Sequence, residues 1–406
     1  MAKLIKIFLF FSFYSFAVWA DGLYHKNSLI GGRASGMGGA YKAISDDASG
    51  AFYNPAGLVY SDGDSISGSA NSYVSTKSTY KETIGNRDWE RETDNLLPNF
   101  FGATKKFGKY TFGFSYVITD YMKENQNQVF QNLDELADPI DLFAFNLQSE
   151  DATYLIGPSL AMELSENLTF GVSLFYHRRV FRRSQSQLIQ FGDGSDYSSY
   201  QNLSKRERGF HLRTGLLYSL EKHAFALTLS KAVMQTAIAD SQANTKERNS
   251  SATDFGRRAD VDRPKYPYEI GLGYAYFASP YLLVSADFDY YLHSEENRRN
   301  MWNAAVGAEY FLNSTYALRT GFYTNNTNSR KPSEIADEIP VEYMNMYGLT
   351  AGIGIHSKSS TISLGVNYGF GSGDARIYSS ENSASTETKR FERQILGFLI
   401  AADYGF

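Results

Sequence analysis

At 406 residues the chain is long enough for two soluble domains or one large barrel. Its 30 Tyr, 29 Phe and 34 Gly, with a negative mean hydropathy, speak against a bundle of membrane-spanning helices. They suit a closed sheet with aromatic girdles. Absence of Cys excludes a disulfide scaffold and thiolate chemistry, and a net charge of −5 argues against a nucleic-acid partner.

The first 20 residues have the three-part layout of an export signal: Lys3 and Lys6, an apolar run from Ile7 to Val18, and a small residue, Ala20, at the expected cleavage point. The apolar core is too short to cross a bilayer of roughly 30 Å as a helix. We expect cleavage after Ala20, leaving a mature chain with a segment over 21–62 and a β-domain over 63–406.

The segment after the signal is Gly-rich and shows no period of two, so it is not read as a membrane strand. Gly36, Gly38 and Gly39 allow close backbone approach or positive φ. Asn54 and Pro55 suit a helix N-cap and first helical position, followed by Ala56 and Gly57. Ser45 or Asp46 can cap the preceding turn, next to Asp47.

From Asp64 onward the pattern changes to alternating apolar and small or polar positions, as in Leu168–Tyr176 and Trp302–Tyr310. Fourteen such segments are counted, separated alternately by tight turns (Gly108, Glu221-Lys222, Ser279-Pro280) and by mostly long polar loops, among them 77–97, 122–151, 184–205 and 236–263. That rhythm predicts an all-β fold, a transmembrane antiparallel barrel of 14 strands whose short turns face the periplasm. A soluble β-sandwich would alternate too, but has no need for the rhythm or for Tyr268, Tyr274, Tyr310 and Tyr316 near strand ends. Phe398, Ile400, Ala402, Tyr404 and Phe406 share one face of the last strand. This resembles the C-terminal signature read by the barrel-assembly machinery.

The strings Arg33–Tyr41, Asp46-Asp47-Ala48 and Asn54-Pro55-Ala56-Gly57 together resemble the N-terminal hatch signature of the FadL/TodX family of outer-membrane transporters for long-chain fatty acids and aromatic hydrocarbons. The resemblance implies a fourteen-stranded barrel after the hatch, a lumen closed by it, and substrate leaving sideways through the wall. The expected function is passive uptake of a hydrophobic small molecule, most simply a long-chain fatty acid, by a cofactor-free monomer in contact with outer-membrane lipid.

Strand parity places His177, Arg179, His211, Arg213 and Arg319 in the interior, where they are candidates for a fatty-acid carboxylate or for pairing with Glu163, Glu269, Asp287, Asp289 or Glu309. Gly157-Pro158 predicts a break beside strands three and four, a candidate lateral gate. Capping-box spacing at Asn132–Glu135 and Asp138-Pro139 predicts two short helices presenting Leu133, Leu136, Phe143 and Phe145 as a capture groove. Two other classes of function stand beside uptake: a structural or secretion-associated barrel, and a hydrolase built on Asp287, Asp289 and His293. The chain has no nucleophile elbow, zinc-binding HExxH motif or phosphate loop.

Overall fold

The computed structural model describes residues 28–61, 63–84, 87–133, 139–246, 248, 252–295, 298–335, 341–376 and 388–406. The expected export signal and Leu136 lie outside them. Fifteen strands follow a short helical N-terminal segment: β1 (Ser65–Ile84), β2 (Arg87–Phe107), β3 (Tyr110–Leu133), β4 (Ile140–Ser165), β5 (Leu168–Phe191), β6 (Asp196–Leu220), β7 (His223–Lys246), β8 (Ala252–Asp260), β9 (Tyr268–Ser279), β10 (Leu282–Leu292), β11 (Met301–Phe311), β12 (Tyr316–Asn325), β13 (Val341–His356), β14 (Ser360–Arg376) and β15 (Thr388–Gly405).

Neighbouring strands pair antiparallel, and β1 pairs with β15, so the sheet closes on itself. Strand β8 pairs with the far part of β7 and β9 with its near part. The two therefore share one place in the wall, and the barrel has 14 strand positions.

Alternation decides which face meets lipid. Leu174 and Tyr176 of β5, Phe210 and Leu212 of β6 and Phe398 and Ile400 of β15 are exposed on the outside, whereas Ser173, His177 and Arg213 are buried inside. Tyr268, Tyr274, Tyr310 and Tyr316 are exposed, as an aromatic girdle requires.

The wall is uneven in height. Strands β9–β12 have 10 to 12 residues, close to the 9–11 or so that a tilted strand needs to cross a bilayer. Strands β3–β7 have 24 to 26 and rise, at roughly 3.4 Å per residue, well beyond it.

This corrects the expected loops 77–97, 122–151, 184–205 and 236–263, which are mostly strand. Outside the bilayer a strand needs no apolar outer face, so the alternation that marked the spanning part fades there. It also corrects the helix expected after Asp138-Pro139, whereas the one expected after Asn132 falls largely on 134–138, outside the described residues. Strand β3 runs through Leu133 and β4 starts at Ile140, with Gln131 opposite Leu142. Pairing across the hairpin overrides the local capping signal, and Phe143 and Phe145 are strand residues of β4.

Candidate functional site

The N-terminal segment comprises α1 (Gly32–Gly36), a 3-10 turn (Lys42–Ile44), α2 (Gly50–Tyr53) and a second 3-10 turn (Pro55–Tyr60). It packs against inward-facing residues of the barrel, and Ile30, Met37, Tyr41 and Leu58 are fully buried in the interface. Contact is close because glycines meet backbone. Gly38 has φ +65°, and a Cβ on Gly321 of β12 would lie 2.3 Å from the Met37 carbonyl carbon. A Cβ on Gly171 of β5 would lie 2.3 Å from the Pro55 carbonyl carbon, and one on Gly215 of β6 1.8 Å from Asn54 Oδ1.

Asn54 is held from three sides. Its Oδ1 accepts from the Ala56 N–H at 3.1 Å, capping the turn that Pro55 begins, while Nδ2 donates to the carbonyls of Lys42 (3.0 Å) and Leu216 (3.2 Å). Wall hydroxyls satisfy other orphan carbonyls of the segment. Thr350 donates to Gly36, Thr169 to Ala56 and Ser173 to Ala51.

Buried charge completes the attachment. Glu309 of β11 accepts from Arg33 (2.6 and 2.9 Å) and from Arg319 (2.7 Å), and Arg33 reaches both oxygens of Asp46 at 2.7 Å. The Tyr41 hydroxyl lies 2.9 Å from Asp46 and 2.8 Å from Asp47. Asp287 of β10 accepts from the backbone N–H groups of Tyr41 (2.9 Å) and Lys42 (3.0 Å), and Lys42 Nζ lies 2.7 Å from Asp289. Burial works to lower the Lys42 ammonium, but Asp289, Asp287 and Glu269 together overcome it and its pKa is raised.

These contacts account for two of the three residues considered for hydrolysis. Asp287 and Asp289 are engaged with Lys42, while His293 lies just past the end of β10, where burial pushes its pKa down to about 4.

The interior arginines are paired as well. Arg179 binds Asp151 at 2.6 and 2.9 Å, Arg213 binds Glu269 at 2.8 Å and lies over Phe52, and Arg319 binds Glu309 and Ser363. Glu163 sits exposed beside the β4–β5 turn. His211 is 2.6 Å from the Ser230 hydroxyl. His177 packs its ring against Tyr266 and His211, with neither ring nitrogen hydrogen-bonded among the described residues.

The expected break at Gly157-Pro158 is present on one edge of β4 only. Pairing of β3 with β4 runs through both residues, opposite Ser115 and Phe114. On the β5 side the ladder lapses only between Ile156–Tyr176 and Ser159–Ser173, with register kept. The larger interruption is on the other edge of β3. Pairing of β2 with β3 runs from Phe107–Tyr110 to Phe100–Val117 and stops there.

Pro98 in β2 has no N–H to donate, and the β3–β4 register shifts between Ile118 and Asp120, so both edges of this seam are irregular. Farther from the turn, side chains replace the ladder. Asn95 accepts from the Lys123 N–H at 3.3 Å, Arg91 pairs with Glu124, and Gln126 donates to the Glu92 carbonyl. The sequence signal for Pro98 was the same as for Pro158. It was missed because strand two was expected to begin at residue 98, where a proline is harmless.

Beside the seam lies a lumen cavity of about 90 Å³, reached by Asn95 of β2 and by Asp120, Tyr121 and Met122 of β3. A second, of about 40 Å³, touches Leu29 and Ser35 of the N-terminal segment and shares Val74, Asn367 and Ile395 with the first. An unbroken row of aromatic contacts, Phe391–Tyr80–Trp89–Phe145–Phe143–Phe130, lines the wall from β15 to β3.

Among solved structures, the toluene transporter TodX of P. putida superposes with a TM-score of 0.69 at 14% identity, covering 93% of this chain and 99% of its own. The chain has the fold of the TodX and FadL channels. A Pseudomonas aeruginosa FadL homologue gives a TM-score of 0.66 at 13% identity over 94% of this chain and 99% of its own. The Ralstonia pickettii toluene transporter TbuX gives 0.65 at 16% over 93% and 98%. No known family model and no curated relative matches the sequence. The TodX-type fold is thus shared at 13–16% identity over 93–94% of the chain.

Proposed function

We propose that the chain is an outer-membrane member of the FadL/TodX family, a passive channel rather than an enzyme, that admits hydrophobic small molecules. The N-terminal segment is its hatch, and the β2–β3 seam its lateral exit. The observation that carries this reading is the seam itself: the ladder ends at Phe100–Val117 beside a lumen cavity that shares Val74, Asn367 and Ile395 with a second, smaller cavity at the N-terminal segment. A barrel with a purely structural role has no use for an interrupted wall next to an internal cavity. Tyr80 and Phe391 of the aromatic row pack in one cluster with Met346 and Ile395, which line that cavity.

Because the hatch is tied to the wall by paired buried charges, it moves by local rearrangement rather than by leaving the lumen. The cavity, at about 90 Å³, is smaller than the roughly 150 Å³ apolar site known to take up benzene. Side chains at the seam therefore shift as the substrate passes.

Expression in an outer membrane stripped of its own hydrophobic channels tests the reading through uptake of labelled toluene and a labelled long-chain fatty acid. Uptake of at least one probe above the empty-vector rate is expected. Neither probe entering faster would leave the structural barrel as the better reading.

A further inference from the structure

The two cavities are neither plain hydrocarbon surface nor a carboxylate site. Val74, Met122, Met346 and Ile395 supply apolar contact, yet four charged side chains, Arg91, Arg393, Asp120 and Glu124, reach the larger cavity as well. Two are cations and two are anions, so the formal charge at the cavity wall sums to zero.

Both cations are already engaged. Arg91 grips Glu124 through two nitrogens, and Arg393 binds Ser78 at 2.9 Å and Glu342 at 3.2 Å. A carboxylate entering here would have to displace an internal partner from a partly buried pair, which is costly.

Two neutral hydroxyls, in contrast, stand unused. Thr93 of β2 lines the larger cavity and Ser35 of α1 the smaller. Each side chain is at least nine-tenths buried, and neither Thr93 Oγ1 nor Ser35 Oγ has a hydrogen-bond partner among the described residues. A buried hydroxyl without a partner is unfavourable until something supplies one. One lies beside the seam and the other on the hatch, joined by the shared lining of Val74, Asn367 and Ile395.

We infer that these cavities select a hydrophobic molecule bearing one neutral hydrogen-bonding group, such as an alcohol or phenol, over a carboxylate or a bare hydrocarbon of the same skeleton. The inference rests on the channel reading above and names its substrate class. Thr93 is a specificity residue that receives the polar group near the exit, with Ser35 offering a second stop at the hatch. The apolar body lies against Val74 and Ile395, which reach both cavities.

The test is binding of benzyl alcohol, benzoate and toluene to the full chain in nanodiscs, read by saturation-transfer NMR against empty nanodiscs. Thr93→Val, nearly isosteric, is compared with Thr93→Ser, which keeps the hydroxyl. Benzyl alcohol should bind tightest to the wild type, lose about two- to tenfold in affinity with Thr93→Val, and recover with Thr93→Ser. Toluene binding should be unmoved by either variant. Benzoate binding as tightly as the alcohol, or an alcohol affinity indifferent to Thr93→Val, overturns the inference and leaves the channel reading standing. If none of the three binds the wild type, the inference falls, and the channel reading is decided by the uptake experiment above.

Discussion

At the scale of single residues, the decisive groups are the ones that fasten the N-terminal segment inside the barrel. Glu309 is wholly buried and shared by Arg33 and Arg319, so it neutralises one cation from the segment and one from the wall. Removing its charge leaves Arg33 with Asp46 alone and Arg319 with the neutral Ser363 hydroxyl. Breaking a buried pair from one side costs about 3–5 kcal/mol. Glu309→Gln is therefore expected to lower the unfolding free energy of the reconstituted barrel in urea by about that amount, and a loss below about 1 kcal/mol, the scale of an exposed pair, would contradict the role assigned to it. The sequence located this residue on the inner face by strand parity alone. It did not show which cation Glu309 meets, because Arg33 is 276 positions away and only the folded barrel brings them together.

At the scale of elements, the sequence was legible wherever lipid imposes a pattern and silent where it does not. The spanning parts of β5, β6 and β11 follow the expected alternation, since one face meets hydrocarbon and the other the lumen. The outer halves of β3–β7 have no hydrocarbon to impose an apolar outer face, although Leu133, Ile140, Phe191 and Tyr197 are buried together on their inner side, so polar runs such as Asn125–Gln128 and Arg182–Gln187 read as loops and fold as strand. Fit between segment and wall was half visible: the glycines at 36, 38 and 39 stood out, while Gly171, Gly215 and Gly321 looked like ordinary strand glycines. The structure shows them to be the surfaces on which Pro55, Asn54 and Met37 rest. Gly171→Val should unseat the segment without opening the barrel. The expected result is trypsin cleavage after Lys42, which is 3% exposed in the native fold, in a protein that keeps the heat-modifiable gel mobility of a closed barrel. Resistance at Lys42 equal to that of the wild type would mean that the contact can be relaxed elsewhere.

At the scale of the whole molecule, three features belong together: a wall taller on the β3–β7 side than on the β9–β12 side, a segment lodged in the lumen, and a seam between β2 and β3 next to the cavities. On the proposed route, a ligand entering from the tall side reaches the cavity and then either the segment beneath or the interrupted wall beside it. The latter leads into lipid without a water-filled passage, which suits a molecule with little affinity for water. Asn95 and Met122 face the cavity from opposite sides of the seam, and the chain contains no cysteine of its own. Asn95→Cys with Met122→Cys, joined by a short bismaleimide, therefore closes the proposed exit at a single defined place. Uptake of labelled toluene by cells carrying this double variant should equal that of the wild type before cross-linking and fall to the empty-vector rate after it. Unchanged uptake through a fully cross-linked seam would contradict the account.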